Sequence, residues 1–80
     1  MKVGEAVRQR IRDLCNERKI TLNKLSTISG ITQSTLNNIV SGRNNSATVA
    51  TIQKICNGLN ISLLDFFDND LFRNLEQEIE

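Results

Sequence analysis

Histidine and proline are absent from this 80-residue chain, cysteine occurs only twice and the aromatics are three phenylalanines. Without histidine, Cys15 and Cys56 supply too few soft ligands for a zinc site. Both cysteines fall on apolar helical stripes, where a reducing compartment keeps such thiols as small buried residues; sequence alone leaves a disulfide open. No activated serine or cysteine arrangement, glycine-rich phosphate loop or carboxylate cluster on the basic part of the chain is present, which argues against an enzyme, and nothing calls for a cofactor or small-molecule ligand. The apolar runs are too short and too often broken by charge to cross a bilayer, and the N-terminal stretch lacks the continuous apolar run of a signal peptide, so no membrane association and a cytoplasmic location are expected. Few glycines and no proline, set against many Ile, Leu, Asn, Thr and Ser, favour helices joined by polar turns over a sandwich or barrel. The length suits one small core.

The net charge of +1 hides an uneven distribution. Residues 1–60 hold nine bases (Lys2, Arg8, Arg10, Arg12, Arg18, Lys19, Lys24, Arg43, Lys54) against three acids (Glu5, Asp13, Glu17). Residues 61–80 hold Arg73 alone against Asp65, Asp68, Asp70, Glu76, Glu78 and Glu80. A basic body with an acidic tail is ordinary solvated surface or a modest pointer to a polyanion partner.

Apolar residues at Val3, Val7, Ile11, Leu14 and Cys15 predict an amphipathic helix over about 4–18. Thr21 is placed to cap a short second helix, 22–29, carrying Leu25 and Ile28 and ended by Gly30. Thr32 caps a third that stops at Gly42 and exposes mostly uncharged polar side chains. After a loop at 43–47, Thr48 opens a fourth helix with a buried stripe of Val49, Ile52, Ile55, Cys56 and Leu59. Ser62-Leu63-Leu64-Asp65 fits a capping box and begins a fifth helix that turns Leu64 and Phe67 inward. Leu71, Phe72, Leu75 and Ile79 predict a C-terminal helix with one apolar face.

Residues 21–42 form the informative unit. Two short helices meet at a glycine turn, with small Ser26 where the helices cross closely and Leu25, Ile31, Leu36 and Ile39 fixing the crossing by burial. With Gly30-Ile31-Thr32-Gln33-Ser34-Thr35-Leu36, Ser41-Gly42-Arg43 and the run from Ile52 to Phe67, the chain resembles the Cro/lambda-repressor-like (XRE) family over roughly residues 7–67. The resemblance implies an all-α fold, a five-helix helix-turn-helix domain over 1–67 with a short acidic helical extension over 68–80. It also implies a sequence-specific regulator, expected to be a repressor, bound to a double-stranded DNA operator as a homodimer with the helix from residue 33 to 41 in the major groove.

On that resemblance Gln33 matches an adenine-reading position, with Ser34, Thr35, Asn37 and Asn38 as further base contacts. Phosphates fall to Thr21, Asn23, Lys24, Thr32, Arg43 and Asn44. Three departures stand out. Leu22 occupies the place of a buttressing glutamine, Cys15 and Val40 those of a buried Arg–Glu pair, and Ala47 that of a proline. The competing reading uses the same fold as a protein-interaction module, such as an antitoxin or adaptor; the retained polar side chains of the third helix favour DNA. The stripe Leu71, Phe72, Leu75 and Ile79 suits a dimer interface, or else folds back to complete the monomer core.

Overall fold

Residues 1–42 and 47–76 are described by a computed structural model. Five α-helices follow one another: α1 (Val3–Arg18), α2 (Leu22–Ser29), α3 (Gln33–Ser41), α4 (Val49–Leu59) and α5 (Leu63–Phe67), and then one 3-10 turn (Asp70–Phe72). Four of the helices start in the same way. The hydroxyls of Thr21, Thr32, Thr48 and Ser62 accept from the backbone N–H groups of Lys24, Thr35, Thr51 and Asp65 at 3.0–3.1 Å. Each cap answers an otherwise orphaned amide and contributes about 1 kcal/mol, which helps helices too short to persist alone. Between α2 and α3 the turn requires Gly30, whose φ of 70° lies in the left-handed region. No described helix is long and apolar enough to cross a membrane.

The core draws on every helix: Val7, Ile11, Leu14 and Cys15 from α1, Leu25 from α2, Leu36, Ile39 and Val40 from α3, Ile52, Ile55, Cys56 and Leu59 from α4, and Phe66 from α5. Both cysteines are free and buried. Burial pushes both thiols up, and at Cys56 the nearby Arg10 charge works against that rise.

α4 approaches the end of α2 very closely. A Cβ on Gly58 would lie 2.8 Å from both the Ile28 carbonyl oxygen and Ser29 Oγ. Only small residues fit along this seam, so α2 buries Ser26 and Ser29 beside Leu25. Ser26 satisfies its hydroxyl on the Asn23 carbonyl at 2.7 Å, whereas Ser29 Oγ has no partner among the described residues.

Four side chains expected inside lie on the surface. Ile28 is at the exposed edge of α2 because the serines take the seam, and Val49 is exposed because it sits at the first position of α4, ahead of the buried stripe that begins at Ile52. On α5, Leu64 is 83% exposed and Phe67 also lies outward, while Phe66 is fully buried and Leu63 half-buried. The sequence Leu-Leu-Asp-Phe-Phe offers two apolar pairs three residues apart, and tertiary contacts decide between them. Arg10 supplies the decision: it is itself buried, lies one turn from Val7 and Leu14, and donates from Nε to the Phe66 carbonyl at 2.7 Å and from Nη2 to that of Asp65 at 3.0 Å. Its guanidinium carbon stands 6.0 Å from the centre of the Phe66 ring. A cation at the C-terminal end of a helix meets unpartnered carbonyls and the negative end of the dipole.

Where a C-terminal amphipathic helix is expected from Leu71 onward, the described residues form a single 3-10 turn. Phe72 is drawn back onto the core, where its ring lies 4.9 Å from that of Phe67 and 6.1 Å from that of Phe66. Asn69 caps the turn by accepting from the Leu71 N–H at 3.0 Å. Arg73 then pairs with Asp68 at 2.9 Å and Asp70 at 2.7 Å. The Glu76 N–H donates to the Met1 carbonyl at 3.1 Å, so this segment is fastened to the start of α1. Leu71 and Leu75 are half-buried, and Ile79 lies outside the described residues.

Two substitutions test this architecture by denaturant unfolding. Gly58→Ala, favoured by helix propensity by about 1 kcal/mol, should instead destabilise by about 1–3 kcal/mol because the added carbon meets backbone. Phe72→Ala should cost about 1–2 kcal/mol, a fraction of a full core deletion because the ring is only half-buried; no loss would show that the turn adds nothing to the core.

Candidate nucleic-acid interface

The helix-turn-helix is assembled from α2, the Gly30 turn and α3. Leu25 and Leu36 are fully buried between the helices and the rest of the core, Ile39 is nearly so, and Ile31 is half-buried against them. With that face spent inward, the opposite face of α3 presents Gln33, Ser34 and Asn37 to solvent, and Asn38 half-buried beside them. These four side chains and Ser41 line one shallow, open concavity. Gln33 makes no side-chain hydrogen bond to any described residue, so its amide is free to bond an outside partner at both ends.

Ser41 was missed by sequence reasoning, although its spacing of four from Asn37 and seven from Ser34 places it on the same helical face. Its hydroxyl donates to the Asn38 carbonyl at 3.3 Å. Thr35 is exposed, but its Oγ1 accepts from Thr32 Oγ1 at 2.8 Å, tying it to the cap. Thr32 thereby both accepts the Thr35 amide and donates its own proton.

The residues expected to meet phosphate cluster at the N-terminal turn of α2. Thr21, Asn23 and Lys24 are all exposed, and Thr21 accepts from the Lys24 amide while keeping its own hydroxyl proton free. Asn23 uses its carbonyl for Ser26 and for Thr27 Oγ1, at 3.1 Å in the second case, leaving its side chain unengaged. Arg43 and Asn44 lie outside the described residues.

The family model for a helix-turn-helix, HTH_3, matches residues 11–66, from the middle of α1 to Phe66 in α5. The chain belongs to the HTH_3 family. Among solved structures this HTH_3 domain is similar to the prophage Lp1 protein 11, with 37% identity and a TM-score of 0.81 over 94% of this chain and 100% of that one. It is also similar to an HTH_3 family transcriptional regulator from Vibrio cholerae, with 29% identity and a TM-score of 0.76 over 85% of this chain. The match covers 38% of that longer protein. No curated protein matches the chain. The all-helical, five-helix fold expected from the sequence agrees with these neighbours.

The departures from the family pattern have visible consequences in this HTH_3 domain. Leu22 is half-buried against the core and offers Gln33 no polar support. Cys15 and Val40 are 5% and 6% exposed within one core cluster, so apolar contact occupies the region of the family's ion pair. Exchanging a buried pair for apolar residues removes two desolvation costs and is often neutral or stabilising. Val40→Glu alone should therefore destabilise by about 3 kcal/mol or more, since it buries a carboxylate without a partner. Cys15→Arg combined with Val40→Glu should recover part of the loss in thermal or denaturant melts; strictly additive losses would show that the two positions do not meet.

Proposed function

We propose that this HTH_3 domain is a sequence-specific double-stranded DNA-binding transcriptional regulator, acting in the cytoplasm as a repressor, with α3 laid in the major groove. One observation carries the reading. The exposed face of α3 gathers Gln33, Ser34, Asn37, Asn38 and Ser41 around a single open concavity. Asparagine and serine are weaker exposed-helix formers than Glu or Lys, so folding does not call for Ser34, Asn37, Asn38 and Ser41, whereas base edges do. The name of one solved neighbour, a transcriptional regulator, supports the same reading.

In this arrangement Gln33 pairs bidentately with adenine, accepting from N6 and donating to N7. Ser34, Asn37 and Asn38 read neighbouring bases or sugars, and Thr35, its hydroxyl oxygen held by the cap, turns its methyl to a thymine. Thr21 offers its free hydroxyl proton, and Asn23 and Lys24 their side chains, to phosphate. Thr32 contributes through the helix N-terminus, since its hydroxyl proton is given to Thr35. Arg43 and Asn44 continue the phosphate contacts beyond α3. The acidic residues of 61–80 are disfavoured near phosphate and belong on the side away from DNA.

One such domain reads about half of an operator, so two copies are expected on half-sites about one helical turn apart. Residues 68–80 remain the proposed dimer element. Because Phe72 is held on the domain's own core, Leu71, Leu75 and Ile79 are left to carry it.

Selection from a random duplex pool followed by titration tests the reading. Gln33→Ala should cost about 1–3 kcal/mol on the selected site and relax preference at one base pair, while Arg43→Ala should weaken all sequences alike. Log affinity should fall with log salt at a slope of roughly −0.9 per phosphate contact. Binding no tighter than to random duplex, without a salt slope, would favour a protein-interaction module instead. For the dimer, Leu75→Asp should leave a folded monomer in sedimentation that holds a half-site weakly; a wild-type protein that stays monomeric at high micromolar concentration and protects one half-site would remove the dimer.

A further inference from the structure

Two arginines of α1 close the far end of α3. Arg12 donates through Nη2 to the Val40 carbonyl oxygen at 2.7 Å. Arg8, one turn earlier, is half-buried, and its guanidinium carbon would lie 3.5 Å from a Cβ on Gly42, the residue that ends α3. Neither arginine forms an ion pair among the described residues, where the ion pairs belong to Arg73.

A helix leaves its last carbonyls without internal partners, and they gather at the negative end of its dipole. In α3 three of these carbonyls have partners among the described residues. Asn38 O accepts from Ser41 Oγ, Ile39 O accepts from the Gly42 N–H at 3.3 Å, and Val40 O accepts from Arg12. The last of these joins two helices, and it is the hydrogen bond that connects α1 to α3 among the described residues. Cys15 and Val40 cannot make a polar link between the same two helices through their side chains. A charge-assisted bond to a backbone atom therefore does what a side-chain ion pair would otherwise do, and it acts on the frame of α3 itself.

We propose that Arg12, with Arg8 beside it, is a positioning residue that fixes the tilt of α3, and through that tilt the precision with which Gln33, Ser34, Asn37 and Asn38 meet bases. The N-terminal end of α3 is set by the Gly30 turn and the Thr32 cap, so at the far end the bond to Val40 adds a directional restraint to the burial of Ile39 and Val40. The functional consequence rests on the DNA-reading role of α3; the mechanical one does not.

Arg12→Met keeps the aliphatic stem and removes the donors, and Arg12→Lys keeps a charge without the planar fork. Both are compared with the unaltered chain by titration on the selected site and on random duplex at several salt concentrations, and by amide hydrogen exchange. Arg12→Met should weaken the selected site about ten-fold, the scale of one charged hydrogen bond, while random-duplex binding and the salt slope stay as they were. Amides in the last turn of α3 should exchange faster while those of α4 do not, and Arg12→Lys should restore part of both effects. Equal losses on both duplexes, with a slope shallower by about 0.9, would make Arg12 a phosphate contact and overturn the proposal. If the unaltered chain fails to prefer its selected site, the base-reading role falls and hydrogen exchange alone decides: faster exchange confined to α3 upholds the clamp, and unchanged exchange overturns it. Should Arg12→Met fail to fold, Arg12→Lys is read in its place, with the same directions at smaller size.

Discussion

Helix α4 comes so near the end of α2 at Gly58 that the distance from a missing methyl to the Ile28 carbonyl oxygen would be 2.8 Å. The rest of the domain is arranged around that approach. It forces serines rather than large side chains onto the inner face of α2, and it leaves one serine hydroxyl without a partner among the described residues. An unsatisfied buried hydroxyl costs on the order of 1–3 kcal/mol, so the close seam must return more in dispersion and apolar burial than it loses. With α2 pressed onto α4, the Gly30 turn has one direction in which to send α3, and the polar face of α3 follows from that direction.

α1 then acts as a strut between the two ends of the fold. Arg10 reaches the carbonyls at the end of α5 and Arg12 the carbonyl near the end of α3. Two arginines two positions apart point to different sides of one helix, each into a cluster of helix-terminal oxygens. A composition count places both among the basic residues that suggest a polyanion partner, yet each is at least partly committed to the fold. The surface charge available to DNA is accordingly smaller than the nine bases of residues 1–60 imply.

Helix existence was legible because the apolar stripes have a helical period and four of the five starts carry a hydroxyl cap, Thr21, Thr32, Thr48 and Ser62. The polar face of α3 was legible for the same reason, down to four of the five residues that line its concavity. What was not legible depends on contacts distant in sequence. The rotation of α5, with Phe66 inward and Leu64 outward, is set by Arg10 some fifty residues earlier, and no local pattern distinguishes two apolar pairs with equal spacing. Arg10 itself lies on the spacing of Val7 and Leu14, a signal present in the sequence but outweighed by its charge. The segment after Asn69 has helical periodicity yet folds as a 3-10 turn, because pulling Phe72 onto Phe66 and Phe67 gains more than prolonging a short exposed helix.

The polar ties that hold α1 to α3 and α5 end on backbone carbonyl oxygens, and a carbonyl oxygen takes up no proton under conditions that neutralise a carboxylate. In a chain that also lacks histidine, the polar joint between α1 and α3 thereby rests on backbone geometry and not on the charge of a carboxylate or an imidazole.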